Sequence, residues 1–397
     1  MYRLAIVTSH PIQYNAPFFR LLQQRGNINI KVFYTWSQSV KGPKFDPGFG
    51  KQIEWDIPLL EGYDYTFVNN TAADPGTHQF RGIINPTLND EIQNWNPDVI
   101  LIYGWSFHSH LKCIRFFHKK IPLIFRGDST LLAEHFGLKK IFRTIFLKWV
   151  YKHIDYALHV GANNKQYYLR HGIKKHQLFF APHAIDNNRF FDENGDYEKQ
   201  ALLWRENLGI NKDDIVFMFA GKLETKKNPE LLIKSFLDVN YSKSRLIILG
   251  NGVIEKRLKN KYLKYKNIHF LDFQNQSVMP VVYRLCHVFI LPSKGPIETW
   301  GLSINEAMAC SKAVLVSDVC GCAVDLIKND INGYEFNSNN KKYLIKAIKQ
   351  MVKNKNRLKE MGNESQKIIQ DWSFENICKQ VESLVCLIKS KSAVIGS

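Results

Sequence analysis

The chain lacks an apolar run near the ~20 residues that a membrane-spanning helix needs, so a transmembrane helix is excluded across its 397 residues. The apolar core of Met1–Thr8 is too short for a secretory signal and reads as a first strand. The seven cysteines are odd in number and irregularly spaced. That fits a reducing cytosol better than a disulfide framework. Cys320-Gly-Cys322 has no second Cys or His pair to complete a zinc site. No zinc-finger spacing, RNP aromatic motif or basic-region heptad array is present, which removes the usual nucleic-acid readers. Internal repeats and long low-complexity tails are also missing. What remains is an apolar content of 45% and a charged content of 23%, the composition of a globular protein. At this length two domains are expected rather than one core.

Acidic residues are in deficit: 54 Lys and Arg against 36 Asp and Glu leave a net charge of +18. Such an excess favours an anionic partner, whether nucleic acid, membrane surface or small substrate. Short apolar runs alternate with helical patterns, which predicts α/β architecture with parallel sheets. Strands are expected at residues 4–7, 30–33, 99–102, 123–125 and 156–160. A second series is expected at 215–219, 245–249, 269–271, 288–291 and 313–316. Between the two series the chain turns polar over 187–206, the candidate linker. The expected domains are 1–195 and 196–373, with a last helix at 374–392 returning to the first domain. Two doubly wound, Rossmann-like domains facing across a cleft follow, with ligands at the C-terminal ends of strands.

The most informative segment is Glu298-Thr-Trp-Gly-Leu-Ser-Ile-Asn-Glu306-Ala-Met-Ala-Cys310, preceded by Pro296-Ile297. It leaves a strand, turns at Gly301 and enters a helix near Ser303. Unpaired backbone N–H groups and the helix dipole make such a turn an anion seat. A carboxylate on either side, each able to accept hydroxyl hydrogen bonds, suits a diphosphate between two polyols. A nucleotide-sugar has that form. Gly221, Lys222 and Lys227 follow strand 215–219 and lead to a helix at Pro229. Beside the glutamate pair they read as a phosphate clamp rather than a solvated turn. Gly250-Asn-Gly252 opens on the same end of the sheet, and a plain strand-to-helix turn explains it equally well. No Asp-x-Asp motif for a divalent cation is present. Lysines and a helix N-terminus can carry leaving-group charge instead.

In the first half, Ser9-His10-Pro-Ile-Gln13-Tyr14 follows the first strand. His10 either orients an acceptor or moves a proton, or is a turn histidine fixed by Pro11. Arg126 and Asp128, after strand 123–125, are either a functional pair or a structural ion pair. Residues 136–154 form a basic helical pattern in which Leu138, Phe142, Ile145, Phe146 and Trp149 share one side. Lys139, Lys140, Arg143 and Lys148 lie outside that stripe. A Rossmann helix with its stripe in the core accounts for this and is the expectation. Docking on an anionic membrane is the other reading.

These motifs resemble the retaining glycosyltransferases of family 4, which have the GT-B fold. The resemblance runs over nearly the whole chain. Its specific part is the E-x7-E segment of Glu298 and Glu306, and Gly221-Lys222…Lys227 resembles the family's Gly-Arg…Lys clamp with Lys in place of Arg. His10–Tyr14, Tyr103–Trp105, Arg126–Ser129 and the Val-Gly run from Val160 resemble a bacterial, polysaccharide-type subgroup. Asp128 stands where many members have a cleft histidine.

The resemblance implies a metal-independent, cofactor-free transferase with a UDP- or GDP-sugar donor and a glycan or lipid-linked acceptor. It also implies a cytoplasmic protein, peripheral on the inner membrane face. Glu306 would hold the ribose and Glu298 the donor sugar. Lys222, Lys227 and the N–H groups near Gly301 and Leu302 would hold the diphosphate, with Trp300, Ser303 and Gly250 alongside. Acceptor contacts would fall to His10, Gln13, Tyr14, Arg126 and Asp128. A GT-B epimerase or phosphorylase, or a non-catalytic polyanion- or membrane-binding protein, are the alternatives. The last leaves the glutamate spacing unexplained.

Overall fold

The computed structural model describes residues 1–37, 44–46, 48–133, 137–295 and 298–395. The chain divides into two compact units. Unit 1 comprises residues 1–44, 58–182 and 374–397, and unit 2 comprises 45–57 and 183–373.

Unit 1 is built on seven strands: β1 (Tyr2–Thr8), β2 (Ile28–Tyr34), β5 (Asp64–Phe67), β6 (Val99–Tyr103), β7 (Leu123–Arg126), β8 (Tyr156–His159) and β9 (Leu178–Phe180). They pair in the order β5-β2-β1-β6-β7-β8-β9, all parallel. The central strands read as near-continuous apolar runs because both faces are covered; Leu4 to Val7 and Val99 to Ile102 are fully buried. A two-stranded sheet, β3 (Lys44–Asp46) and β4 (Lys51–Ile53), lies in the excursion between β2 and β5.

Unit 2 carries β10 (Ile215–Ala220), β11 (Ser244–Leu249), β12 (Ile268–Leu271), β13 (Val288–Leu291), β14 (Ala313–Ser317) and β15 (Gly333–Phe336). Their order is β12-β11-β10-β13-β14-β15, again all parallel. In each sheet the order reverses once, between β1 and β6 and between β10 and β13. Chains leaving adjacent strands there diverge to opposite faces and open a crevice at the strand C-termini.

The pattern anticipates neither β3 and β4 nor three strands of the large sheets, β5, β9 and β15, which are all sheet edges. Edge strands face solvent along one side, so β5 has two exposed residues followed by two half-buried ones and gives no apolar run.

The division between units falls at 182/183, ahead of residue 195, and the polar stretch 187–206 is no free linker. Arg284, itself buried, donates from Nη2 to Phe190 O (2.8 Å) and pairs through Nε with Asp192 (3.4 Å). Those contacts neutralise the charged stretch against unit 2. Residues 45–57 also belong to unit 2: Asn275 Nδ2 donates to Glu54 O (2.6 Å), and Phe49 packs edge-on to Phe273 at 4.8 Å.

The helix Phe374–Ile395 lies on unit 1. Val381, Leu384 and Val385 are buried, and Arg25 grips Glu382 with two hydrogen bonds of 2.7 and 2.8 Å. Further along, Lys389 Nζ reaches Asp98 Oδ1 at 2.6 Å, while Arg3 N–H donates to Asp98 Oδ2 at 2.8 Å. Burial alone would raise the Asp98 carboxyl, but the Lys389 hydrogen bond and the Arg3 N–H outweigh it and hold it below its ordinary value. A depressed folded-state value means stabilisation that is complete above the unfolded-state value and is lost as pH falls through the folded one. Asp98→Asn is therefore expected to lower the urea midpoint at neutral pH. The gap from wild type should close as pH drops below about 4.

Candidate functional site

The crevice of unit 2 is formed by the loops after β10 and β13. Gly221 follows β10, its N–H bonded to Leu249 O (3.0 Å). A Cβ on Gly250 would fall 2.1 Å from Gly221 O. That backbone contact by itself requires glycine at 250 and makes Gly250 a packing residue. Lys222 projects from the same loop onto Asp46, with Nζ 2.9 and 3.0 Å from the two carboxylate oxygens. Its ammonium also lies 5.0 Å from the centre of the Phe49 ring. Burial pushes the Asp46 carboxyl up, but Lys222 and the Phe49 and Gly48 N–H groups outweigh it, so it titrates below its ordinary value.

Lys227 closes a short 3-10 turn (Thr225–Lys227); Asn228, in the left-handed region at φ 56°, hands the chain to the Pro229–Val239 helix. Its ammonium pairs with Glu298 Oε2, which also accepts from Ser293 Oγ at 3.0 Å. Lys227, Ser293 and Glu298 thus tie the β10 loop to the β13 loop. The segment Glu298–Trp300 is braced from the loop after β14. Gly321 N–H donates to Glu298 O (3.0 Å) and Cys322 N–H to Trp300 O (3.2 Å). A Cβ on Gly321 would meet Thr299 O at 1.7 Å. Cys320 and Cys322, which flank that glycine, are fully buried, and burial pushes the Cys320 thiol up to about 12.

Gly301, at φ 103°, turns the chain into the Leu302–Ala309 helix. Trp300 is buried and donates its indole N–H to Asn305 Oδ1 (2.9 Å); Asn305 Nδ2 donates to His183 O (2.9 Å). Ser303 is half-buried on the first turn. Glu306 is 3% exposed and accepts from Tyr283 Oη at 2.6 Å. Pro296 and Ile297 lie outside the described residues.

Unit 1 places His10, Gln13 and Tyr14 after β1, at its own point of reversal, and Arg126 and Asp128 at the end of β7. His10 follows β1, with Nδ1 3.0 Å from Ser9 Oγ and its ring edge-on to Trp36 at 5.3 Å. Gln13 and Tyr14 are half-buried, just before the Ala16–Gln24 helix. Asp128 follows β7 and is half-buried. Arg126 takes a different part from the one expected on the acceptor side. It is buried, and its two terminal nitrogens donate to Ala181 O (2.8 Å) and Pro182 O (2.9 Å). A buried guanidinium needs such acceptors, and these two carbonyls make Arg126 the fastener of the segment that follows β9.

The expectation that the 136–154 stripe lies in the core is overturned for its first half. Phe136 lies outside the described residues. Within the Leu138–Tyr151 helix, Leu147, Val150 and Tyr151 are buried, whereas Ile141, Phe142 and Ile145 are 56%, 70% and 61% exposed. The helix has two apolar faces and only one is used by the core.

Asp46, Ser293, Tyr283 and Gly321 were not foreseen. Asp46 meets Lys222 across 176 residues of sequence, so no local spacing announces it. Among the described residues, no group of three or more His, Cys, Asp or Glu side chains is arranged to hold a metal ion.

Residues 201–368 match the model of a family described as Glycosyl transferases group 1. That range holds Gly221, Lys222, Lys227, Glu298 and Glu306, and none of the unit 1 candidates. An N,N'-diacetylbacillosaminyl-diphospho-undecaprenol alpha-1,3-N-acetylgalactosaminyltransferase of Campylobacter jejuni is 28% identical over 239 residues, covering 59% of this chain and 60% of that one. The alpha-monoglucosyldiacylglycerol synthase of Acholeplasma laidlawii is 27% identical over 211 residues, 51% of either chain. The chain spans about half the length of most of the first curated relatives it matches. Among solved structures, Anabaena Alr3699/HepE in complex with UDP and glucose aligns with a TM-score of 0.68 at 17% identity, over 97% of this chain and 100% of that one. The resemblance to group 1 glycosyltransferases is thereby shown, and the fold is GT-B, two Rossmann-like parallel-sheet domains. Gly321→Ala is expected to cost about 1–3 kcal/mol in urea unfolding, because the Thr299 carbonyl must move to admit the methyl group. An unchanged midpoint would mean that the β14 loop does not brace Glu298.

Proposed function

We propose that this chain, whose residues 201–368 match the group 1 glycosyl transferases, moves a sugar with retention from a UDP- or GDP-sugar to a glycan or lipid-linked acceptor, without a metal. The observation that carries this reading is the convergence of Lys227, Ser293 and Glu298 at the strand reversal of unit 2, with Glu306 on the helix that follows.

The donor diphosphate would lie on the N–H groups of Gly301 and Leu302, with Lys222 and Lys227 opposite. As the bond from the anomeric carbon to the diphosphate oxygen breaks, negative charge grows on that oxygen. Fixed cations and N–H groups lower the barrier by holding that charge more strongly than they hold the intact donor. The acceptor hydroxyl attacks from the same face as the departing diphosphate, and a phosphate oxygen takes its proton. Glu298 accepts hydrogen bonds from donor-sugar hydroxyls, and Glu306, oriented by Tyr283, accepts from the ribose. His10 and Asp128 are assigned to orienting the acceptor. The UDP held by the Anabaena protein supports a uridine donor. The undecaprenol- and diacylglycerol-linked names of the two relatives support a lipid-linked acceptor met at the inner membrane face.

Asp46 competes with the donor for Lys222. Asp46→Ala is expected to tighten nucleoside diphosphate binding by up to about fivefold, the ~1 kcal/mol that a partly exposed ion pair is worth. Weaker binding would instead make Asp46 a residue that positions Lys222. The central test is a thermal-shift panel of UDP, GDP, ADP, CMP and dTDP with EDTA present, on wild type and Glu306→Ala. One diphosphate at 100 times its dissociation constant should add about 2.7 kcal/mol of stability to wild type and little to the variant. No shift with any nucleotide would sink the transferase reading.

A further inference from the structure

The first half of the Leu138–Tyr151 helix is anomalous in a folded unit. Ile141, Phe142 and Ile145 stand more than half exposed, and Phe146 adds a further 38% exposed ring. Spaced at i, i+1, i+4 and i+5, they form a contiguous apolar ridge along one side of the helix. The ridge continues through aromatic contacts: Phe146 lies 5.3 Å from Trp105 and 5.7 Å from Trp149. At its far end Arg115 places its guanidinium 5.4 Å from the Trp149 ring. Exposed apolar area of this kind is costly unless something covers it.

The charge around it is one-sided. From Val99 to Ile154 the sequence holds ten Lys and Arg against two acids, Asp128 and Glu134. The helix itself carries Lys139, Lys140, Arg143 and Lys148 and no acid. Ile141, Phe142 and Ile145 turn more than half of their area outward. A protein partner would have to supply the whole enclosing pocket, whereas a fluid lipid interface closes around a protruding ridge unaided. The cations beside it then lie at headgroup depth, where each Lys or Arg gains from an anionic surface.

We propose that the Ile141–Phe146 ridge and its flanking cations form a docking surface for an anionic lipid bilayer, inserting at the headgroup boundary without spanning it. This deepens the lipid-linked acceptor reading above: it names the surface by which unit 1 meets the membrane that holds such an acceptor.

The test is co-sedimentation with phosphatidylglycerol–phosphatidylcholine vesicles and with pure phosphatidylcholine vesicles. Wild type is compared with Phe142→Ser/Ile145→Ser and with Lys139→Glu/Lys140→Glu, and the UDP thermal shift is run in parallel on each. Wild type is expected to sediment with the anionic vesicles and not the neutral ones, with binding weakened by salt. Each double variant should bind roughly tenfold or more weakly while keeping its cooperative melt. Absence of wild-type binding to anionic vesicles would overturn the proposal, as would retained binding in Phe142→Ser/Ile145→Ser. A wild-type oligomer in solution that the serine variant dissolves, without vesicle binding, would make the ridge a protein interface and also overturn it. Ridge-dependent vesicle binding with no nucleotide shift would uphold the surface and reject the transferase reading, so the two fail separately.

Discussion

The Lys227–Glu298 ion pair, with Ser293 donating to the same carboxylate oxygen, is the contact around which unit 2 is arranged. It bridges loops that leave β10 and β13, the two neighbouring strands whose connections run to opposite faces of the sheet. Without a tie, those loops would be the least constrained part of the fold. The pair is more than two-thirds shielded on both partners, so removing either partner would leave a charge in a partly desolvated place. Its backing is equally specific. Gly321 holds the carbonyl of Glu298, and Trp300 and Asn305 pin the following turn to His183.

The lysines of this chain serve two opposed purposes. In unit 2, Lys222 and Lys227 are each matched to a carboxylate, Asp46 and Glu298. Both partners hold the ammonium groups in place; Asp46, in the more exposed of the two pairs, can be exchanged for a ligand's phosphates at modest cost, since a partly exposed pair is worth little by itself. In the Leu138–Tyr151 helix of unit 1, cations lie beside exposed apolar side chains with no acid in the helix. That arrangement becomes favourable against an anionic surface. The net +18 is therefore unevenly used: the site lysines of unit 2 meet carboxylates, while the Leu138–Tyr151 helix of unit 1 carries cations and no acid.

Central strands were legible because burial on both faces leaves an unmistakable apolar run, as in Val99–Tyr103 and Ile215–Ala220. β5, β9 and β15 were not, since an edge strand has only half of that constraint. The glutamate pair was legible because a turn and a helix N-terminus lie within one short segment. Asp46, Tyr283 and Gly321 escaped notice because each acts across the fold on a residue far away in sequence. The structural part of Arg126 was hidden for a similar reason: it rests on two carbonyls at 181 and 182, more than fifty residues on.

The sequence by itself determined the alternation of strands and helices, the parallel sheets, and the Glu298…Glu306 turn, because these follow from periodicity and local backbone chemistry. Only the tertiary structure decided which lysine meets which carboxylate and that residues 45–57 join unit 2. It also decided which apolar face of the Leu138–Tyr151 helix is left outside. A helical pattern reports that a face is apolar; whether that face is inside depends on what the rest of the chain brings against it. Here Leu147, Val150 and Tyr151 fill the core contact, and Ile141, Phe142 and Ile145 are left to meet another surface.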